Sequence, residues 1–215
     1  MDLQLPHMNY AILDLDGTIL DSMEAWKNVT RDYLDSLGIT AAPDIREQVK
    51  RRTSEETAVY LQQMYSVSLS KQEIISGMHS VIRIKYETSI PLKKTGIQIL
   101  NYLKQHQIPF CAATSTDRQM IEAALKRLGI YNDFSFILTC SEVGKGKYHP
   151  DIFLQAMERL GGNIKNTVVF EDALHCVRTA KNAGFTVVGV YEQVDAEDWE
   201  KICEISDVQL KERIS

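Results

Sequence analysis

Five short apolar segments recur along the chain and alternate with longer amphipathic stretches. The apolar segments cover residues 10–13, 109–113, 136–138, 167–170 and 186–190. They are nearly continuous runs without polar alternation, which is the pattern of strands that are buried on both faces. We therefore predict five strands in a sheet that is covered on both sides.

Helical periodicity separates these predicted strands. Apolar residues recur at helical spacing over residues 96–105, 118–128, 152–160 and 174–183, and a glycine follows each of the last three stretches. Glycine often ends a helix. Strands that alternate with helices of this length are typical of βαβ units. We predict an α/β fold with a Rossmann-like three-layer α/β/α core around a parallel sheet.

The segment 21–89 departs from this alternation because its pattern is helical throughout. Two stretches, from Thr53 to Glu56 and from Ser70 to Glu73, match the capping-box signature of a helix start. A helical block inserted after the first strand is most simply a small cap domain. The predicted domains are a core of residues 1–20 and 90–215 and an α-helical cap of residues 21–89.

Composition and charge narrow the possible partners. The 215 residues are 44% hydrophobic and 25% charged, with a net charge of −5, and Lys50, Arg51 and Arg52 form the longest basic run. A nucleic-acid partner is therefore not expected. No signal peptide, membrane-length apolar run or paired-cysteine motif is visible. We expect a cytoplasmic protein without a membrane partner, as a monomer or weak dimer.

Polar side chains follow the predicted strands, at the edge where parallel sheets bind ligands. Asp14 and Asp16 follow the first strand, and Thr114 and Ser115 follow the second. Lys145 or Lys147 follows the third strand, and Glu171 and Asp172 follow the fourth. Clustered carboxylates repel one another, and oxygen ligands of this kind suit Mg²⁺. Lysine and hydroxyl groups can bind phosphate oxygens. The pattern predicts magnesium-dependent phosphoryl transfer.

Spacing separates the roles of the first two carboxylates. Asp14 and Asp16 are two residues apart, so on an extended strand their side chains point the same way. Asp14 can attack phosphorus, and Asp16 can protonate the leaving alcohol and later accept a proton from water. Gly17 lets the backbone turn close to the phosphate and offer N–H groups to it.

Together these motifs resemble those of the haloacid dehalogenase superfamily. The stretch DLDGTILDS, residues 14–22, is similar to the first motif of its D-x-D-G-T phosphatase branch, which has a helical cap after the first strand. The resemblance covers nearly the whole chain. It implies hydrolysis of a small phosphorylated metabolite through an aspartyl-phosphate intermediate, with Mg²⁺ as the cofactor.

The resemblance also implies a role for each candidate residue. Asp14 is the phosphorylated nucleophile and Asp16 the acid–base. By this resemblance Thr114 and Lys147 bind the phosphoryl group, and Gly17 and Ser115 are the further candidates from the strand ends. The implied metal ligands are Asp14, the main-chain carbonyl of Asp16, Asp172 and the nearby carboxylate of Glu171.

Two stretches depart from the family pattern. Relatives often carry Gly-Lys-Pro-x-Pro-Asp at the third motif, where this chain has GKGKYHPD, and alignment on Pro150 and Asp151 selects Lys147 rather than Lys145. Relatives also often carry a small residue shortly after the Glu-Asp pair, where this chain has Leu-His-Cys at residues 174–176.

The main alternative is an isomerase of the β-phosphoglucomutase type. By resemblance, that type carries the first motif D-x-D-G-V and a histidine at the position of Trp26. Thr18 and Trp26 both favour a phosphatase. A non-catalytic phosphometabolite-binding protein would lack the nucleophile or the acid–base, and both are present. In the cap, a basic turn supplies candidates for contacting the leaving-group half of the substrate: Arg51, Arg52 and Thr53.

Overall fold

The computed structural model describes residues 5–50 and 52–211. The chain divides into two compact units. The first unit combines the residues up to Ser22 with those from Ile90 onward, and the second is Met23–Ser89. The first contains the sheet, whereas the second is helical.

A parallel sheet forms the centre of the first unit. Its strands within the described residues are β1 (Tyr10–Leu13), β2 (Phe110–Thr114), β3 (Ile137–Thr139), β4 (Thr167–Glu171), β5 (Thr186–Val190) and β6 (Val208–Leu210). They lie in the order β3-β2-β1-β4-β5-β6, and every neighbouring pair is parallel. β2 and β3 lie on one side of β1, and β4, β5 and β6 lie on the other side. Because the order of the strands changes side at β1, a ligand crevice is expected beyond the carboxyl end of β1.

The second unit has its own helices and its own core. Its helices are α1 (Met23–Ser36), α2 (Ile45–Val49), α3 (Ser54–Tyr65) and α4 (Lys71–Thr88). Both predicted capping boxes are confirmed, because Thr53 and Ser70 each accept a hydrogen bond from the N–H three residues later. Buried Leu34, Leu61 and Ile74 form part of the core of this unit. Its role as a cap stays a prediction.

Helices cover both faces of the sheet in the first unit. The helices of this unit are α5 (Lys94–Gln105), α6 (Arg118–Arg127), α7 (Cys140–Val143), α8 (Asp151–Leu160), α9 (Leu174–Asn182) and α10 (Trp199–Ile205). Ile12 and Val169 pack with residues of α8, α9 and α10. Leu13 and Phe170, which alternate with them, are equally buried. Both faces therefore need apolar side chains, and the strands are continuously apolar for that reason.

The predicted α/β fold is confirmed, but a sixth strand was missed. β6 has three residues, of which one is buried, so it carries no readable periodicity. Two short 3₁₀ turns, Tyr131–Asp133 and Ala196–Asp198, complete the described elements. None of the helices in residues 5–50 and 52–211 is long and apolar enough to cross a membrane.

Gly96 lets α5 approach the loop that follows β1. A Cβ at this position would lie 2.6 Å from the carbonyl oxygen of Ile19 and 2.8 Å from its Cα. The same carbonyl accepts a hydrogen bond from the N–H of Lys93 at 2.9 Å. The start of α5 is therefore docked directly on the backbone of this loop.

We expect Gly96→Ala to lower the free energy of unfolding by about 1–3 kcal/mol, although alanine favours helix formation, because backbone atoms must move to admit the methyl group. Denaturant unfolding followed by circular dichroism measures the change. Gln98→Ala, at an exposed position of the same helix, should stay within about 0.5 kcal/mol of wild type. Equal midpoints for the two variants would contradict the close approach.

Candidate active site

Three carboxylates meet beyond the carboxyl ends of β1 and β4. Asp14 follows β1 directly, and its N–H donates to the carbonyl of Phe170 in β4 at 3.0 Å. Glu171 ends β4, and Asp172 follows it. One carboxylate oxygen from each of Asp14, Glu171 and Asp172 lies within 4.8 Å of the others, and all three residues are buried. Adjacent parallel strands thus bring residues distant in sequence to one point.

Lys147 lies against this acidic cluster. Its ammonium group donates to the carboxylate of Asp14 and, at 2.6 Å, to that of Glu171. Only 4% of Lys147 is exposed. Lys145 instead pairs with Asp151 at 2.7 Å, with both side chains partly exposed. Of the two candidate lysines, Lys147 is therefore the one that contacts Asp14.

Hydroxyl groups hold the Asp16 side chain. Its two oxygens accept hydrogen bonds from Ser22 Oγ at 2.6 Å and from Thr116 Oγ1 at 2.8 Å. Gly17 has a φ of +85°, and its N–H donates to the carbonyl of Leu20 at 2.9 Å. A positive φ favours glycine, so the loop turns sharply just after the second carboxylate.

The two hydroxyl candidates at the end of β2 differ in environment. Thr114 is fully buried, and its Oγ1 accepts a hydrogen bond from the N–H of Thr116 at 3.1 Å. Ser115 is exposed, and its Oγ lies 3.3 Å from Sγ of Cys140. Thr114 is the last residue of β2 and Ser115 follows it, so both lie at the same edge of the sheet as Asp14.

Two residues near the first motif, Thr18 and Lys93, were not predicted from sequence to contact the site. Thr18 donates its hydroxyl to Asp172 at 3.0 Å, and Lys93 donates to the carbonyl of Gly17 at 2.5 Å and to Glu192 at 2.6 Å. Thr18 lies inside the D-x-D-G-T motif, which is a usable signal. Lys93 belongs to no motif, so only the three-dimensional structure reveals it.

The basic turn of the helical unit is partly described. Arg51 lies outside the described residues. The guanidinium of Arg52 lies 4.7 Å from the centre of the Tyr60 ring, and the two residues border a surface groove beside α3. Thr53 caps α3 by accepting a hydrogen bond from the N–H of Glu56 at 3.2 Å. Thr53 therefore has a structural role as the N-cap of α3.

Comparison with known families identifies the chain. The model of the haloacid dehalogenase-like hydrolases matches residues 11–190. The chain belongs to this family. The resemblance inferred from DLDGTILDS is thereby confirmed, and the matched range runs from the second residue of β1 to the end of β5.

Individual proteins also resemble the chain over most of its length. A probable pseudouridine-5'-phosphatase of Drosophila melanogaster is 29% identical over 192 residues, which cover 86% of this chain and 83% of the relative. A β-phosphoglucomutase of Bacillus subtilis is 29% identical over a region that covers 85% of this chain and 83% of the relative. A solved Thermotoga maritima structure, assigned to the β-phosphoglucomutases, has a TM-score of 0.83 at 23% identity, with 95% and 94% covered. That structure shows the shared fold.

Burial dominates the electrostatics of the acidic cluster in this haloacid dehalogenase-like hydrolase. Desolvation, reinforced by the nearby carboxylate of Asp14, raises the pKa of Glu171 to about 8. Desolvation and the charges of Asp14 and Glu171 raise the pKa of Asp172 well above its usual value. Burial opposes the charge of Lys147, but Asp14 and Glu171 outweigh it and raise the pKa of Lys147. Without a further cation, the acidic cluster therefore tends to retain protons.

In EDTA, we expect the melting temperature to fall as pH rises from about 5 to about 8. Over this window the folded state keeps a proton on Glu171, whose pKa is about 8 instead of 4.5, whereas the unfolded state has released it. Stability falls with pH wherever the folded state binds more protons. Thermal unfolding across the window measures the slope.

Glu171→Gln is the matched control for this slope, because glutamine has a similar size and cannot ionise. Its melting temperature should depend less steeply on pH than that of wild type. Parallel pH profiles for the two proteins would contradict the raised pKa of Glu171.

Proposed function

We propose that this protein is a magnesium-dependent phosphatase that hydrolyses a phosphomonoester of a small metabolite. One observation carries the proposal: Asp14, Glu171 and Asp172 cluster at the strand ends with Lys147 against them. Membership of a hydrolase family and a relative described as a pseudouridine-5'-phosphatase support the same activity.

In the proposed reaction, an oxygen of Asp14 attacks phosphorus and the bond from phosphorus to the substrate oxygen breaks. Protonated Asp16 gives its proton to the departing alkoxide, which leaves as the alcohol. Water then attacks phosphorus of the aspartyl-phosphate and gives a proton to Asp16. Inorganic phosphate leaves, and the Asp14 carboxylate is restored.

The contacts of Asp16 support its role as the acid–base. Hydrogen bonds from Ser22 and Thr116 hold both oxygens of its side chain, which fixes its orientation before a substrate binds. Proton transfer needs a group held within hydrogen-bond reach of the reacting oxygen. The two hydroxyls can also adapt as donor or acceptor when Asp16 changes its protonation state.

Mg²⁺ fits the chemistry of the acidic cluster. Three ionised carboxylates against the single ammonium of Lys147 leave two negative charges, which matches a divalent cation. Asp14, Asp172 and the main-chain carbonyl of Asp16 would hold the ion, with Glu171 nearby, and all are oxygen donors of the kind that Mg²⁺ prefers. When bound, Mg²⁺ would stabilise the negative charge that develops on the phosphoryl oxygens.

The remaining candidates have roles in binding the phosphoryl group. Lys147 supplies a positive charge beside the nucleophile, and Thr114, Ser115 and the N–H groups around Gly17 supply hydrogen-bond donors. Arg52 and Thr53 of the helical unit stay our candidates for the leaving-group half, together with Arg51. A cytoplasmic location and a monomer or weak dimer also stay predictions.

The second candidate function is that of a β-phosphoglucomutase. The Bacillus subtilis β-phosphoglucomutase has the same sequence identity to this chain as the Drosophila melanogaster phosphatase. Trp26 argues against it. The indole N–H of Trp26 donates to the hydroxyl of buried Tyr86 at 2.8 Å within the helical unit, and an indole has no basic nitrogen. It cannot replace a histidine in proton transfer.

We expect wild type to release inorganic phosphate from at least one compound in a panel of phosphometabolites. Asp14→Asn should lower kcat by at least about 10³-fold, because the nucleophile is lost. Asp16→Asn should lower it by about 10²–10⁴-fold, because proton transfer is lost. Asp21→Asn changes an exposed aspartate of the same motif and should keep wild-type activity.

Two results would change this assignment. Full activity of Asp14→Asn would exclude Asp14 as the nucleophile. Interconversion of hexose phosphates without phosphate release would identify a mutase.

We expect EDTA to abolish activity and Mg²⁺ to restore it. Asp172→Asn should raise the Mg²⁺ concentration needed for half-maximal activation by about 10–100-fold, because one anionic ligand is lost. Activation curves for wild type and Asp172→Asn measure the shift, and Asp21→Asn again serves as the control. Undiminished turnover by metal-free protein would rule out the proposed cofactor.

A further inference from the structure

A tyrosine–histidine stack connects the loop that carries Lys147 to the helix that follows the acidic pair. The ring centres of Tyr148 and His175 lie 4.3 Å apart, with the ring planes inclined by 22°. Tyr148 is adjacent to Lys147 in the chain, and His175 lies in the first turn of α9, shortly after Asp172. The stack therefore links two parts of the proposed active site.

The loop of residues 144–150 contains no helix or strand, so contacts with other elements are needed to fix its position. It lies between α7 and α8 and contains a turn in which the His149 N–H donates to the Gly146 carbonyl at 3.0 Å. The ion pair of Lys145 with Asp151 is partly exposed, and exposed pairs stabilise little. The ammonium group of Lys147 is nevertheless buried. Its ion pairs offset the cost of burial only if the loop holds the side chain in a fixed position.

Both rings are placed to supply this restraint. Nε2 of His175 lies 3.2 Å from the thiol of Cys176, and Cys176 is part of the apolar core beneath the sheet. Tyr148 is 74% exposed, so its contribution lies in the ring contact rather than in core packing. The two residues also stand in the two stretches that depart from the family pattern.

We propose that Tyr148 and His175 are positioning residues that act through Lys147. Their stack holds the 144–150 loop against α9 and so keeps the Lys147 ammonium on Asp14 and Glu171. The kinetic consequence rests on the proposed phosphatase function, whereas the effect on loop order does not.

Hydrogen exchange tests the effect on the loop. In Tyr148→Ala and in His175→Ala, we expect the amides of residues 146–149 to exchange about tenfold faster. The double variant should exchange no faster than the single variants, because all three lack the same contact. Tyr148→Phe keeps a stacking ring and should retain wild-type exchange. Unchanged exchange in both alanine variants, or multiplied effects in the double variant, would overturn the proposal.

The chain offers a matched control for this experiment. Tyr102 and His106 form a second stack at the end of α5, with ring centres 4.1 Å apart and planes inclined by 27°. His106→Ala removes that stack and should leave exchange at residues 146–149 unchanged. Faster exchange there in His106→Ala would indicate general destabilisation and would overturn the specific role of Tyr148 and His175.

Steady-state kinetics with p-nitrophenyl phosphate provide the second arm. In the two alanine variants, KM for this ester and the inhibition constant of inorganic phosphate should each rise about tenfold, because Lys147 binds the phosphoryl group less well. A variant that is merely less stable has fewer active molecules and shows a lower kcat with an unchanged KM, which would overturn the proposal. Tyr148→Phe should stay within about twofold of wild type.

The two arms separate failure of the positioning role from failure of the proposed function. If wild type releases no phosphate from p-nitrophenyl phosphate or from any phosphometabolite tested, the phosphatase proposal fails. Hydrogen exchange at residues 146–149 then still decides whether the stack orders the loop.

Discussion

The burial of three carboxylates around one lysine is the constraint on which the rest of this structure depends. Removing charges from water is costly, and like charges at short range raise the cost. Asp14, Glu171 and Asp172 share the available positive charge of Lys147, which contacts two of them. The raised pKa values of Glu171 and Asp172 follow from this imbalance. The proposed binding of Mg²⁺ would offset this excess of negative charge.

The sheet provides the rigidity that this arrangement needs. β1 pairs with both β2 and β4, so the ends of three strands lie at one edge. The loop after β1 is then held by hydrogen bonds from several directions: Thr18 donates to Asp172, Ser22 donates to Asp16, and Lys93 donates to the Gly17 carbonyl. These hydrogen bonds hold the loop that carries Asp16, the proposed acid–base, beside Asp172 and the end of β1.

The residues proposed for chemistry and those proposed for specificity belong to different units of the chain. The proposed catalytic residues all belong to the unit that contains the sheet, whereas the candidates for contacting the leaving group belong to the helical unit. Relatives of similar identity carry the names of a pseudouridine-5'-phosphatase and a β-phosphoglucomutase. Such a range of named activities on one fold is expected when side chains outside the common site select the substrate.

The sequence by itself determined the fold class, the helical insertion and the order of the motifs. Continuous apolar runs require a sheet covered on both faces, and the D-x-D-G-T motif after the first run is specific enough to identify the family. These features are local, so a few neighbouring residues suffice to define them. The missed β6 shows the limit of this approach, because a three-residue edge strand has no period to detect.

Only the tertiary structure decided which distant side chains meet. Motif alignment favoured Lys147 over Lys145, but the contact of Lys147 with Asp14 depends on how the loop after α7 folds back over β1 and β4. The hydrogen bonds of Lys93 and the stack of Tyr148 on His175 carry no signal in the sequence. Such contacts join residues far apart in the chain, and the packing of the whole domain determines their distances.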